Sequence, residues 1–338
     1  MRKQLNLYPL FMAQKENSKN LSKLLRKIKS KPLDRELGFG KNAALDGRLM
    51  NSDGSFNVFR EPLGRWDNTY YHLVTMPWPH FLILIFSFFL LLNIFFSCIY
   101  MLIGVENFNG VTLGDFGHNF MQAFFFSSQT LTTVGYGHIS PNGVVISILA
   151  SFESFLGLLA FALMTGLLYG RFSRPSAKIV FSENLLIAPY KNGKGLMFRM
   201  GNASRSELIE TEVQVLMAFN QREEDGSLSR KFYPLGLEIN KISFFSLSWT
   251  IVHALNDQSP IFNFSAQDIL DANAEIMVLV KGTDETSQQV VHTRRSYSGE
   301  EIVWNAKFSP VIERTEHGVP KVLTRRIGAH ELIPMEPG

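Results

Sequence analysis

Two long apolar runs, separated by a region that contains a glycine-rich loop, limit what this chain can fold into more than any other feature. The first run extends from Phe81 to Ile103 and the second from Val144 to Phe172. Each exceeds the roughly 20 residues that a helix needs to cross a bilayer core about 30 Å thick. The sequence therefore predicts two membrane-spanning helices.

The region between the runs contains a short apolar stretch followed by the hexapeptide Thr-Thr-Val-Gly-Tyr-Gly at Thr132–Gly137. The stretch, Phe120–Phe126, is too short to cross a bilayer but long enough for a short helix. We therefore expect a spanning helix, a re-entrant half-helix, an extended loop and a second spanning helix. An ordinary β-turn with Gly-Tyr-Gly is the alternative, and it would not explain two flanking spans.

The hexapeptide has the residues that a backbone cation site needs. A dehydrated K⁺ needs a stack of oxygen ligands, which backbone carbonyls supply when successive carbonyls face one axis. This requires left-handed dihedrals at alternate residues, which glycine adopts at little cost. Because the chain carries one such loop, we expect four chains around the axis. The expected filter residues are Thr132, Thr133, Val134, Gly135, Tyr136 and Gly137, with K⁺ bound at Thr133, Val134, Gly135 and Tyr136.

Charge and cysteine content narrow the class of protein further. The formal net charge of +3 is too small to suggest nucleic acid as a partner, and the single cysteine, Cys98, allows neither an intrachain disulfide nor a thiolate zinc site. No Lys or Arg occurs between Arg65 and Arg171, whereas basic residues flank both ends of this gap. By the positive-inside rule, both termini are expected in the cytoplasm, which predicts a multi-pass protein of the cell (inner) membrane.

The part of the chain that follows the second run has the pattern of strands. Residues 209–219 alternate between apolar and polar side chains, and short apolar runs occur at 179–181, 276–280 and 302–304. An all-β sandwich is predicted from about Lys178 to about Phe308. No Ser-His-Asp, metal-ligand or phosphate-loop spacing occurs in this region, so we do not expect an enzyme.

The motif Thr-Val-Gly-Tyr-Gly is the potassium-channel signature, and together with both spans it makes the chain resemble the inward-rectifier K⁺ channels. The likeness is greatest to their prokaryotic branch, the KirBac family, from about Asn57 to about Phe308. The resemblance implies an α-helical two-span pore domain with slide, outer, pore and inner helices, plus an all-β immunoglobulin-like cytoplasmic sandwich. It also implies a homotetrameric K⁺ channel, gated at its cytoplasmic end and modulated by anionic lipid, with K⁺ ions in the filter and no organic cofactor.

The resemblance and the composition together predict five segments. They are a basic cytoplasmic N-terminal segment at 1–64, an interfacial slide helix at 65–77, a transmembrane pore domain at 78–175, a cytoplasmic immunoglobulin-like β domain at 176–310 and a C-terminal segment at 311–338. Residues 18–31 form either an amphipathic helix on anionic lipid or a solvated basic tail. Phe56–Arg60 alternate like a short strand, which we interpret as an edge strand on the later sheet.

Gln129 and Glu153 are the candidate supports of the filter. Gln129 lies behind the filter in the alignment with the family, at a position where many members carry glutamate. A carboxylate within a span, such as Glu153, is costly and usually functional or paired. We expect Glu153 to pair with filter-supporting groups such as Gln129, and the alternative is a protonated carboxyl packed against protein. Asn93, in the first span, either hydrogen-bonds a neighbouring helix or is simply tolerated there.

Phe161 and Tyr169 are the candidate cavity and gate residues, two helical turns apart on the second span. Phe161 aligns with the acidic position that controls rectification in strongly rectifying animal channels, so we expect weak rectification. Four copies of Tyr169 are expected to form an apolar constriction like the family's inner gate, and ordinary packing of aromatic side chains is the alternative. Gly157 and Gly166 offer bending points.

Aromatic and basic residues flank the spans on the inner side. Trp66, Tyr70, Tyr71 and Val74 recur at helical spacing, which is typical of a helix at the membrane–water boundary. Clustered basic residues after the second span attract anionic head groups. The resemblance implies that lipid binds at Arg65, Trp66, Arg171, Arg174 and Lys178. Anchoring by the positive-inside rule alone is the alternative.

Two other functions are compatible with a membrane protein of this size. A K⁺-uptake subunit of the Trk type needs four filter-like loops in one chain, and this chain has one. A membrane-tethered β-sandwich that acts as a binding module would not require the hexapeptide. No arginine-striped helix precedes the pore region, so voltage-independent gating is expected.

Overall fold

The computed structural model describes residues 28, 32, 47–59, 61, 69–173, 178–222 and 227–333. The described residues form two compact units, one within residues 61–174 and the other within residues 1–60 and 175–338. We describe each unit by itself.

The first unit is helical. Its helices are α1 at Thr69–Thr75, α2 at Trp78–Ile103, α3 at Phe116–Leu131 and α4 at Val144–Phe172. Pro77 precedes α2 and Gly104 follows it with a φ of 103°, while the Asp115 side chain caps α3 by accepting the backbone N–H of His118. In their most apolar windows, α2 and α4 are only 17% and 22% buried within the chain. Both helices are long and apolar enough to cross a membrane.

A buried aromatic cluster joins α2, α3 and the segment between them. The Tyr100 ring lies 5.3 Å from that of Phe108 and 5.2 Å from that of Phe126, both edge-on. Phe108 belongs to β1, Phe108–Asn109, which pairs antiparallel with β2, Ser140–Pro141. The cluster therefore fixes α3 against α2 and closes the segment that follows the hexapeptide back onto the segment that precedes α3.

The second unit is a sandwich of two five-stranded sheets, as the alternating pattern predicted. One sheet has the order β11-β10-β6-β7, with β8 also paired to β6, and the other has the order β12-β4-β5-β3, with β9 paired to β5. These strands are β3 at Ile179–Phe181, β4 at Leu185–Tyr190, β5 at Gly193–Asn202, β6 at Leu208–Arg222, β7 at Leu228–Pro234, β8 at Lys241–Phe245, β9 at Ser248–Leu255, β10 at Glu275–Asp284, β11 at Gln289–Ser298 and β12 at Ile302–Trp304.

The inner faces of the two sheets form one apolar core. Phe198 and Met200 of β5 meet Val215 and Phe219 of β6 there, and Ile276 of β10 completes the layer. A short helix, α5 at Ala266–Asp271, precedes β10 and is held by a capping box between Ser265 and Asp268. Four further strands lie near the C-terminal end: β13 at Ala306–Phe308, β14 at Ile312–Arg314, β15 at Pro320–Val322 and β16 at His330–Leu332.

The segment that contains Phe56 differs from its prediction as an edge strand. Phe56 forms an antiparallel bridge with Met50, outside the named strands. The reason is local, because Asn51 donates its N–H to the Ser55 carbonyl at 2.8 Å and turns the chain back on itself. The segment 47–59 is therefore a small hairpin, which we call the N-terminal hairpin.

Candidate filter and pore

The hexapeptide has the alternating backbone that its glycines suggested. The φ angles are positive at Thr133 (61°), Gly135 (53°) and Gly137 (81°). Thr133 carries a β-branched side chain, for which this conformation is costly, so the loop places strain at one residue and spares it at the two glycines. No heavy atom lies within 4 Å of an ideal Cβ at Gly135 or Gly137, so the dihedral, and not lack of space, requires glycine there.

Backbone hydrogen bonds tie the first half of the loop to the end of α3. The Gln129 carbonyl accepts the N–H groups of Val134 at 3.0 Å and of Gly135 at 3.2 Å. Thr133 donates its N–H to the Thr130 carbonyl at 3.0 Å. Gln129 thus supports the loop through its backbone, whereas the prediction gave its side chain that part.

Glu153 lies at the centre of a buried polar network. Its side chain accepts hydrogen bonds from the Tyr100 hydroxyl, at 2.6 Å, and from the Ser127 hydroxyl. The Ser127 hydroxyl also lies 3.1 Å from the amide oxygen of Asn93. Asn93, Ser127 and Glu153 are fully buried. The network joins α2, α3 and α4 at one level of the unit.

This network corrects two interpretations of the sequence. Glu153 pairs with Ser127 and Tyr100, and Gln129 is not among its hydrogen-bond partners in the described residues. Asn93 is a partner in the network and not merely tolerated. A serine and a tyrosine in apolar runs carry little sequence signal, so Ser127 and Tyr100 could have been found only from the helical spacing of polar residues along α2 and α3.

Gly157 lies one helical turn after Glu153 and contacts the end of α3. An ideal Cβ at Gly157 would lie 2.0 Å from the Leu131 carbonyl oxygen, which immediately precedes the hexapeptide. A Cβ at Gly166 would meet no heavy atom within 4 Å. Gly157 is therefore a point of close helix contact, and of the two predicted bending points only Gly166 is unobstructed.

Phe161 and Tyr169 project from α4 without cover from their own chain. Their side chains are 71% and 74% exposed. The loop residues Thr132–Gly137 are also exposed throughout. One chain therefore leaves its loop and its candidate gate open to the surroundings.

The end of α4 is fastened to α1 by Arg171. Its guanidinium donates to the carbonyls of Leu73 and Met76, each at 2.7 Å, and lies over the rings of Trp78, at 4.6 Å, and Phe81, at 4.3 Å. Carbonyls at a helix C-terminus lack intrahelical partners, and a cation there is favourable. Both terminal nitrogens of Arg171 are engaged with α1 in this arrangement.

The other predicted lipid residues are placed less completely. Arg65, Trp66 and Arg174 lie outside the described residues, as does most of the basic segment at 1–64. Lys178 is described and exposed, in the β-sandwich unit. No group of three or more His, Cys, Asp or Glu side chains suited to a metal ion occurs in the described part of the chain.

Comparisons with known proteins agree with this geometry. A model of the inward rectifier potassium channel C-terminal domain matches residues 179–336, and an ion channel model matches residues 82–174. The inward rectifier potassium channel Kirbac3.1 of Paramagnetospirillum magnetotacticum is 34% identical over 82% of this chain and 94% of that protein. This chain belongs to the inward-rectifier potassium channel family.

Animal members match over a smaller part. Inward rectifier potassium channel 18 of Homo sapiens and ATP-sensitive inward rectifier potassium channel 12 of Mus musculus are each 30% identical over 58% of this chain, and the matches span 47% and 48% of those proteins. A solved structure of the sporulation control protein Spo0M from Bacillus subtilis covers 39% of this chain with a TM-score of 0.23 and 11% identity, and it carries no argument here.

Family membership confirms the predicted family and fold class. The chain is an ion-channel protein and not an enzyme, and its two apolar helices are those of a membrane protein. The permeant ion that the family implies is K⁺. The parts assigned to single residues of the filter, the gate and the lipid contacts stay predictions, and the geometry above is the basis for testing them.

Proposed function

We propose that four copies of this inward-rectifier channel chain surround one axis and conduct K⁺ selectively through the loop Thr132–Gly137. The observation that carries the proposal is the alternation of positive φ angles at Thr133, Gly135 and Gly137. Such alternation allows successive carbonyls to face a common axis, where they replace the water shell of a K⁺ ion. We assign K⁺ coordination to Thr133, Val134, Gly135 and Tyr136.

Exposure of the loop supports assembly into a tetramer. Tyr136 is 78% exposed and Val134 is 55% exposed in the single chain, which is unusual for large apolar side chains at the centre of a folded unit. Symmetric closure by other copies would cover them and complete the ligand set. The same closure would bring four copies of Tyr169 together at the far end of α4 as a gate, with Phe161 facing the cavity.

The end of α3 contributes electrostatics to the same site. Its carbonyls near Gln129 carry the partial negative charge of a helix C-terminus, which favours a cation nearby. The Glu153 network holds α3 between α2 and α4, so we propose that Glu153 and Ser127 act as positioning residues for the filter. They do so without touching the ion.

We also propose the orientation and the lipid partner. The absence of Lys and Arg between Arg65 and Arg171, with basic residues beyond, supports an inner-membrane protein with both termini and the β-sandwich in the cytoplasm. Anionic lipid would then meet Lys178, which is exposed, together with Arg65, Trp66 and Arg174. For Arg171 the contacts with α1 support a fastening part, so lipid there would have to compete with two carbonyls.

Flux of Rb⁺ into liposomes that hold the purified full-length protein tests the proposal. We expect Ba²⁺ to block the flux and Na⁺ to permeate far less than Rb⁺. Gly135→Ala should abolish flux, because a Cβ is strained at a φ of 53°. Gly318→Ala is the matched control, since Gly318 also has a positive φ of 76° and open space, but lies in the β-sandwich unit.

Equal flux of Na⁺ and Rb⁺ through the unmodified protein would refute the selective pore. Full activity of Gly135→Ala would show that this loop is not the filter. The lipid proposal is tested separately by comparing Lys178→Gln with Lys321→Gln in liposomes with and without anionic lipid. A lipid response that is equal in both variants and in the unmodified protein would remove Lys178 from the lipid site.

A further inference from the structure

A buried carboxylate in the β-sandwich unit holds the N-terminal hairpin, residues 47–59. Glu275 begins β10 with its side chain only 2% exposed. One of its oxygens accepts the backbone N–H of Leu49 and the other that of Met50, each at 2.9 Å. The sequence analysis attributed nothing to this residue, and the proposed pore makes no use of it.

Two side chains of the sandwich complete the set of donors to Glu275. Arg230, which is 1% exposed, donates to the oxygen shared with Leu49 at 2.9 Å. The Ser296 hydroxyl donates to the oxygen shared with Met50 at 2.8 Å. Burying an ion pair costs desolvation energy, which is recovered only when the remaining acceptor sites are also filled. The backbone of the hairpin fills them here.

Further contacts of the hairpin surround this carboxylate. Leu49 and Met50 are buried against Phe232 and Met277 in a small apolar cluster of their own. The Arg48 guanidinium lies 2.7 Å from the Glu301 carboxylate and also donates to the Ser296 carbonyl. The β-sandwich thus recognises the hairpin by backbone, apolar and charged contacts at once.

The far side of the hairpin meets β11. The Arg295 side chain donates to the Ser52 carbonyl at 3.0 Å, and the Arg294 guanidinium lies 4.8 Å from the centre of the Phe56 ring. Gly54, with a φ of 83°, comes so close to the Arg294 backbone that a Cβ would not fit. Both edges of the hairpin are therefore seated on the sandwich.

The position of the hairpin in the chain gives this contact a consequence. Nine residues, 60–68, connect it to α1, and four residues, 174–177, connect the end of α4 described at Ser173 to Lys178. A chain of ten steps reaches at most about 35 Å when fully extended. With the hairpin seated, both ends of the helical unit are attached to the same β-sandwich by short connections. Without it, only the α4 end is attached.

We propose that Glu275 is the docking site through which the β-sandwich holds residues 47–59, and that this attachment transmits movement of the sandwich to α1. The first part stands on the contacts of one unit. The second part rests on the proposed channel function, because Arg171 links α1 to the end of α4 that carries Tyr169. Loss of docking would release a restraint on that end and shift the population away from the described arrangement.

Two variants release the hairpin from opposite sides of the contact. Glu275→Gln replaces one acceptor oxygen by an NH₂ group, which is a donor. Whichever way the amide turns, the N–H of Leu49 or Met50 loses its acceptor, and Arg230 loses its charged partner. Leu49→Glu leaves the sandwich untouched and places a carboxylate beside Glu275. Phe59→Glu is the control, because Phe59 is 89% exposed at the end of the same hairpin.

Hydrogen exchange followed by mass spectrometry on the reconstituted full-length protein tests the docking. We expect residues 49–57 to exchange at least tenfold faster in Glu275→Gln and Leu49→Glu than in the unmodified protein and in Phe59→Glu. Strands β10 and β11 should stay protected, which shows that the sandwich is folded. Unchanged exchange of 49–57 in Leu49→Glu would overturn the docking site, even if Glu275→Gln fails to fold.

Rb⁺ flux through the same preparations tests the coupling. We expect both release variants to raise basal flux at least threefold, with the preference for Rb⁺ over Na⁺ unchanged and Phe59→Glu like the unmodified protein. Faster exchange of the hairpin together with unaltered flux would overturn the coupling and leave the docking intact. Absence of flux from the unmodified protein would overturn the channel function and the coupling with it, while the exchange data would still decide the docking.

Discussion

Adding one methyl group at Gly157 should disturb the filter, although Gly157 is not part of it. The ideal Cβ would lie 2.0 Å from the Leu131 carbonyl oxygen and 2.9 Å from the carbonyl carbon, whereas real Cβ atoms essentially never approach closer than 3.0 Å. The end of α3 and the middle of α4 must therefore separate by about 1 Å, in an interior packed too densely to absorb this freely. Thr132, the first residue of the loop, moves with Leu131.

The free-energy change contains two opposing contributions. Overpacking of this kind costs roughly 1–3 kcal/mol. Replacing glycine by alanine within a helix returns up to about 1 kcal/mol, because the unfolded backbone loses freedom. Gly166→Ala isolates the second contribution, since its Cβ meets nothing within 4 Å. The difference between the two variants is then the clash alone, roughly 1–3 kcal/mol per chain.

The assay compares both variants with the unmodified protein in thermal unfolding and in liposome flux. Gly157→Ala should unfold at a lower temperature than Gly166→Ala. If about 1.4 kcal/mol of the strain falls on the filter, the ratio of Rb⁺ to Na⁺ flux drops on the order of tenfold. Equal melting temperatures and equal flux ratios in the two alanine variants would refute the contact between Gly157 and the base of the filter.

Three further predictions concern the gate, the cavity and the β-sandwich. Tyr169→Ala should raise basal Rb⁺ flux without altering the ratio of Rb⁺ to Na⁺, because it widens a narrow apolar passage and leaves the filter intact; unchanged flux would move the constriction elsewhere, with Phe161 next. Phe161→Asp should strengthen block by internal Mg²⁺ or polyamines, since it supplies a cavity charge, and steep block in the unmodified channel would contradict this. Burial lowers the pKa of His253, whose Nδ1 lies 2.6 Å from the Gly236 carbonyl. The unfolded chain binds the proton more readily, so stability should fall as pH drops through the ordinary value of 6.5 and should change less in His253→Gln; thermal unfolding at several pH values with identical slopes for both proteins would exclude this source.

Some of this architecture could be predicted residue by residue. The runs at 81–103 and 144–172 coincide with α2 and α4 to within a few residues, because continuous apolar length is a local property that the bilayer selects directly. Strands β3 and β12 occupy the predicted residues 179–181 and 302–304 for a similar reason. Gly135 and Gly137 were recognisable because backbone dihedral preference belongs to the residue itself.

Contacts between residues far apart in the chain were not predictable in this way. Glu153 was recognised as exceptional, but its partner Ser127 is 26 residues away and its partner Tyr100 is 53 residues away. Sequence reasoning chose Gln129, the nearest amide to the filter, because it could not know which face of α3 is turned to α4. The same limit applies to Gly157, which was interpreted as a bending point before its contact with Leu131 was visible.

The sequence by itself thus determined the two spans, the loop between them and the sandwich, since each depends on periodicity or dihedral preference within a short window. The tertiary structure alone decided what holds them in place. Leu49 and Glu275 are 226 residues apart, and neither carries a local signal for the other. A buried carboxylate finds its donors only when helices and strands have packed, because burial, and not sequence, makes an unfilled acceptor costly.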